Sequence, residues 1–131
     1  MSTSARATAG ITPPPNNPRN TQGRIVTDDE LEACLDWLRD HAKTMGEAKK
    51  RLVKAGHMIK HAEALGFIHS AQKGADARKY EARTTQEYLK WVEEESEASG
   101  EYERLKSLRE AAALKIETWR SEQANYRAMK I

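Results

Sequence analysis

One cysteine, one phenylalanine and no proline after Pro18 stand in 131 residues, and each scarcity excludes something. A single thiol rules out an intrachain disulfide and fits a reducing compartment, so the expected location is cytoplasmic. No apolar run approaches the ~20 residues needed to span a bilayer, and the first residues lack the apolar core of a secretory signal. A soluble chain with no membrane partner is expected. Hydrophobic residues make up 38% of the chain against 32% charged, with a mean hydropathy of -0.85. Such a composition builds a thin core, so a homo-oligomer is expected. There is no Walker loop, no Ser, His and Asp grouping and no isolated carboxylate pair, which argues against an enzyme and against a cofactor.

What is present is a heptad pattern. Leu31, Leu38, Met45, Leu52 and Ile59 recur every seven residues, and three positions after each stand Cys34, His41, Ala48, Ala55 and Ala62. A period of seven keeps one seam turned toward a partner helix, and the mostly small second row permits close approach. The partner helix can belong to the same chain or to another copy. Thr27 followed by Asp28, Asp29 and Glu30 reads as a capping box, so the first helix is expected to start there and to run to about Phe67, with Gly46, Gly56 and Gly66 as weak points.

Gly66 and Gly74 bracket the expected reversal. Ala75, Ala82, Tyr88, Leu89 and Val92 then mark a second helix, and Ser99 and Gly100 interrupt it. Leu105, Ala112, Trp119 and Tyr126, joined by Tyr102, Leu108, Ile116 and Met129, mark a third. The last two are alternatively one helix with a bend. The fold class expected is all-α: a long antiparallel helical hairpin or a three-helix, coiled-coil-like arrangement. Residues 1–26 hold all four prolines and read as a flexible N-terminal arm, leaving a helical domain over 27–131.

Charge is unevenly distributed. The arm carries Arg6, Arg19 and Arg24 with no acid, residues 41–61 hold six Lys or Arg against the single Glu47, and residues 93–103 hold six Glu with no basic residue. Lys50, Lys54, His57 and His61 follow spacings of four, three and four and so share one helical face, beside Lys49, Arg51 and Lys60 and in line with Lys43. Lysines on a long helix most often form a solvated face, yet a stripe of this kind can also follow a phosphate backbone. The candidate nucleic-acid-binding set is therefore Lys43, Lys49, Lys50, Arg51, Lys54, His57, Lys60 and His61. A third reading is internal, with Glu93, Glu94, Glu95 and Glu97 lying against the stripe and specifying assembly.

His57 and His61 have the spacing of two zinc ligands on a helix, but Met58 stands where a zinc protease needs glutamate and no third ligand is near, so no metal is expected. Cys34 on the seam reads as a buried small hydrophobe. Among the aromatics, Trp119 and Tyr126 fall on the heptad row as packing anchors, whereas Tyr80 and Trp91 fit the apolar rows poorly and could stack on bases.

The run Ala111, Ala112, Ala113, Leu114, Lys115, Ile116, Glu117, Thr118, Trp119 and Arg120, followed by Arg127, resembles the C-terminal signature of a family of small all-helical proteins of tailed bacteriophages. That likeness covers roughly residues 70–131. The layout of an early helix with Trp37 and Leu38, a basic run through Lys49, Lys50 and Arg51, a Gly-containing connection and further helices is similar to the phage recombination mediators of the UvsY type. The proline-bearing arm and the connection from His69 to Tyr80 depart from that plan. The resemblance implies an oligomeric accessory protein of phage DNA recombination or replication, working in the bacterial host cytoplasm. It would bind single-stranded DNA non-specifically and assist a recombinase or single-strand-binding protein. Two other readings stay open: a phage inhibitor of a host nuclease or defence protein, and a structural coiled-coil scaffold.

Overall fold

The computed structural model describes residues 23–129, and every regular element among them is helical: α1 (Asp28–His69), α2 (Ala75–Ala82) and α3 (Gln86–Met129). The protein is all-α. Residues 1–22, which hold most of the expected arm, lie outside the described residues.

α1 begins where the capping residues place it. The Thr27 hydroxyl accepts the Glu30 N–H at 3.1 Å and faces the Glu30 carboxylate at 3.5 Å, while the Thr27 carbonyl accepts the Leu31 N–H at 3.0 Å. Asp28, Asp29 and Glu30 put negative charge at the positive end of the helix. α1 continues through Gly66 to His69, so the reversal occupies residues 70–74, between the two glycines expected to bracket it. Gly74 closes it at the start of α2, with a φ of +102° in the region that side chains rarely adopt.

The expected break at Ser99 and Gly100 is absent, because α3 runs unbroken across both. Buried Ala98 on one side and buried Leu105 on the other hold that stretch in register, against a cost of only ~1 kcal/mol for the glycine. The interruption lies earlier, at Arg83 to Thr85. There the Thr84 hydroxyl donates to the Glu81 carbonyl at 2.7 Å, and Thr85 caps α3 by accepting the Tyr88 N–H at 3.2 Å. Short hydroxyl side chains compete with the helical ladder in this way, so two threonines end one helix and begin the next.

The chain forms two compact units, one of residues 46–103 and one of residues 23–45 with 104–129. In the second, antiparallel stretches of α1 and α3 enclose Cys34, Trp37 and Ala112, with Leu38, Leu108 and Ile116 packed around them. Trp37 stacks on His41 with ring centroids 4.5 Å apart. Trp37 is therefore the buried aromatic anchor. Trp119 is half-buried and donates its indole N–H to Asp28 at 2.9 Å, and Tyr126 is exposed beneath Arg24. The Glu122 carboxylate accepts the backbone N–H groups of Ile25 and Val26 at 3.1 and 2.9 Å, which fastens residues assigned above to the arm onto α3. Burial pushes the Cys34 thiol up, as for an inert core thiol.

The 46–103 unit is built differently. Its buried side chains are Ala48, Ala55, Ala62, Ala82 and Ala98, all alanine. Small side chains let helices approach closely, and at Gly66 even a methyl group is excluded: a Cβ there would stand 2.8 Å from the Ala82 Cα. Of the small row of the heptad, Cys34, Ala48, Ala55 and Ala62 are buried and His41 is half-buried. Of the larger row, Met45 is buried while Leu31, Leu38, Leu52 and Ile59 are half-buried.

Candidate nucleic-acid interface on α1

The stripe of the 46–103 unit is positioned by helical geometry. At ~100° per residue, Lys50, Lys54, His57 and His61 fall about 130° round α1 from the row of Ala48, Ala55 and Ala62, whereas Arg51 falls only about 40° from it. Burial follows this difference. Lys49, Lys50, Lys54, His57, Lys60 and His61 are exposed, and Arg51 is half-buried.

Arg51 faces the acidic stretch of α3. Its Nε donates to Glu94 at 2.5 Å, its Nη1 donates to Glu101 at 2.5 Å, and its Nη2 lies 4.0 Å from Glu97. Glu94, Glu97 and Glu101 recur at spacings of three and four and so share the face of α3 turned toward α1. The hydrogen bond from Arg51 holds the Glu94 carboxyl below the usual carboxylate range, and the same bond raises the guanidinium further. Arg51 is therefore a helix-pairing residue, set apart from the exposed stripe.

The remaining cations have separate settings. Lys49 lies over the Tyr102 ring at 4.9 Å. Lys43 is exposed on the same helix but belongs to the 23–45/104–129 unit. His57 and Lys60 line, with Val53, Gly56, Ile59 and Glu95, a groove of about 360 Å³. Within the unit that holds it, the stripe is thus an exposed row of lysine and histidine, with Lys54 near enough to favour the charged form of Glu94.

Aromatic placement adds two sites. Tyr80 is 69% exposed. Trp91 is half-buried and donates to Glu87 at 3.0 Å, with Lys90 over its ring. In the other unit Trp119, Arg120, Gln123, Ala124 and Arg127 line a cleft of about 660 Å³. Charge counting misses that cleft because Arg120 and Arg127 are diluted by Glu117 and Glu122. The signal was the recurrence of Trp119, Gln123 and Arg127 at intervals of four.

Among the described residues no group of three His, Cys, Asp or Glu side chains could hold a metal ion, and no helix is long and apolar enough to cross a membrane. The chain matches no family model, no curated protein and no solved structure.

Proposed function

We propose that this chain binds single-stranded nucleic acid without sequence preference, as an oligomeric accessory factor of phage-type DNA recombination or replication. The observation that supports this most is the exposed row of Lys49, Lys50, Lys54 and Lys60 with His57 and His61, beside the half-buried Arg51 that pairs with the acidic stretch. Lysine ammonium groups on flexible stems neutralise phosphates without reading bases. The indole of Trp119 beside Arg120 and Arg127 offers a stacking place that tolerates any base. The chain acts by binding and performs no covalent chemistry. Its partners in this reading are further copies of itself, single-stranded DNA, and a recombinase or single-strand-binding protein, as the phage resemblance implies.

Self-association draws support from the alanine-only core of the 46–103 unit, which leaves Leu52 and Ile59 half-buried and Val53 exposed on α1. The inhibitor reading needs a free acidic surface, and three of the six acids in 93–103, Glu94, Glu97 and Glu101, are turned to Arg51, while Glu93 and Glu103 stay exposed. Titrating a fluorescein-labelled oligonucleotide with the full chain at rising salt tests the proposal. Binding that weakens steeply with salt and is equal for mixed sequences supports it; absence of binding at low salt overturns it.

A further inference from the structure

Beyond the stripe, the 46–103 unit carries a second feature of different chemistry. The last turns of α1 and the body of α2 enclose a groove of about 490 Å³, lined by Lys60, Glu63, Ala64, Phe67, Ile68 and Lys79. We infer that this groove docks a short acidic segment of a partner protein, one that carries a large apolar side chain among its carboxylates.

The floor is apolar and partly open to water. Ile68 is 64% exposed, and Ala64 and Phe67 extend the same surface. Its volume lies in the ~300–1,000 Å³ range of ligand-sized pockets, ample for one bulky side chain and its flanking backbone. Ile68 and Ala64 are aliphatic and suit an apolar side chain better than a phosphate backbone.

The rim is cationic. Lys60 stands on the α1 side and Lys79 on the α2 side, both exposed. Glu63, the acid of the lining, is drawn to Arg83 at 3.5 Å. Behind the floor, the Arg78 guanidinium lies 4.9 Å from the centre of the Phe67 ring and donates to the Ile68 carbonyl at 3.4 Å. Its Nε is buried with no hydrogen-bond partner, and the guanidinium places a further positive charge behind the floor. An apolar trough between cations selects an occupant that is apolar in the middle and negative at its ends.

Charge also decides between occupants. Residues 1–22 of this chain carry Arg6 and Arg19 and no acid, the same sign as the rim. In a second copy the most acidic stretch, 93–103, is partly spent, because Glu94, Glu97 and Glu101 already serve Arg51. A partner protein's acidic segment meets neither obstacle.

The test uses the full chain and a fluorescein-labelled peptide of four acidic residues followed by leucine and phenylalanine, read by anisotropy. A matched peptide with the acids replaced by their amides should bind at least tenfold more weakly. Lys79→Glu with Ile68→Ser changes two exposed side chains, and Ala64→Trp fills the trough without altering charge; each should weaken the acidic peptide at least tenfold with helicity unchanged. The double variant should still bind DNA, and Lys50→Glu with Lys54→Glu should still bind the peptide, so failure here and failure of the nucleic-acid reading are separable. Equal affinity for both peptides, unchanged binding by the Ala64→Trp chain, or loss of peptide binding only in the stripe variant would overturn the inference. So would a change in sedimentation on Lys79→Glu with Ile68→Ser, which would show a second copy on this face, or capture of anionic vesicles in place of the peptide.

Discussion

Gly66 and Ala82 are in backbone contact: a Cβ on Gly66 would stand 2.8 Å from the Ala82 Cα and 2.9 Å from its Cβ. Gly66 permits this approach because it has no side chain, and Ala82, fully buried, uses it. Gly66→Ala should therefore destabilise the chain by about 1–2 kcal/mol, because the overpacking penalty exceeds the helix-propensity gain. Gly46, also inside α1, has nothing within 4 Å of the same construction. Gly46→Ala should stabilise by about 0.5–1 kcal/mol. Urea unfolding followed by circular dichroism measures both, and equal effects would remove the contact as the cause.

Arg51 ties three carboxylates to α1, and removing it leaves them facing one another. Its side chain is 26% exposed and those of Glu94 and Glu101 are 31% and 11%, between the surface and buried regimes. Arg51→Ala should cost about 1–3 kcal/mol, whereas Arg51→Leu combined with Glu94→Leu and Glu101→Leu should recover most of it. The pH dependence has a definite sign. Glu94 is held low by Arg51, so its contribution is fully present above the unfolded glutamate range near ~4.3 and is lost as pH falls below that through the folded value. An acid titration of stability should show this loss in the natural chain and a shallower one in Arg51→Ala.

Glu122 holds the start of the described chain through two backbone N–H groups. Glu122→Ala should cost about 1–3 kcal/mol and raise hydrogen exchange at Ile25 and Val26, with little change at Ala55 or Ala62. Uniform acceleration across both units would contradict a local role.

Val53 is 45% exposed on α1. If the apolar surface at Val53, beside His57 and Lys60, is an interface between copies, Val53→Asp should shift sedimentation at micromolar concentration toward the monomer while leaving the helical signal intact. A natural chain that already sediments as a monomer would sink the oligomer.

The fold class was legible because the heptads and the Thr27 cap are local signals. Thr27 needs only Glu30, three residues on, to declare the helix start. The α2–α3 break was not legible, since Thr84 and Thr85 look no different from solvent-facing threonines until their hydroxyls find Glu81 and Ala82. The close packing at Gly66 was not legible for a related reason. Glycine marks a chain reversal or a close approach alike, and only the position of Ala82 decides between them. At the stripe, spacing correctly grouped Lys50, Lys54, His57 and His61 on one face, but placing Arg51 required knowing which face of α3 presents Glu94 and Glu101.

The most direct test of the nucleic-acid reading compares the natural chain with Lys50→Glu, Lys54→Glu across a salt series, using a labelled single strand and sedimentation to check assembly. Three to four lysine contacts per subunit predict a log-log salt slope of about -2 to -3, and reversing two of them should make it shallower by about 1.4 or abolish binding, with helicity and assembly unchanged. Equal affinity and equal slope in the two proteins would contradict the account.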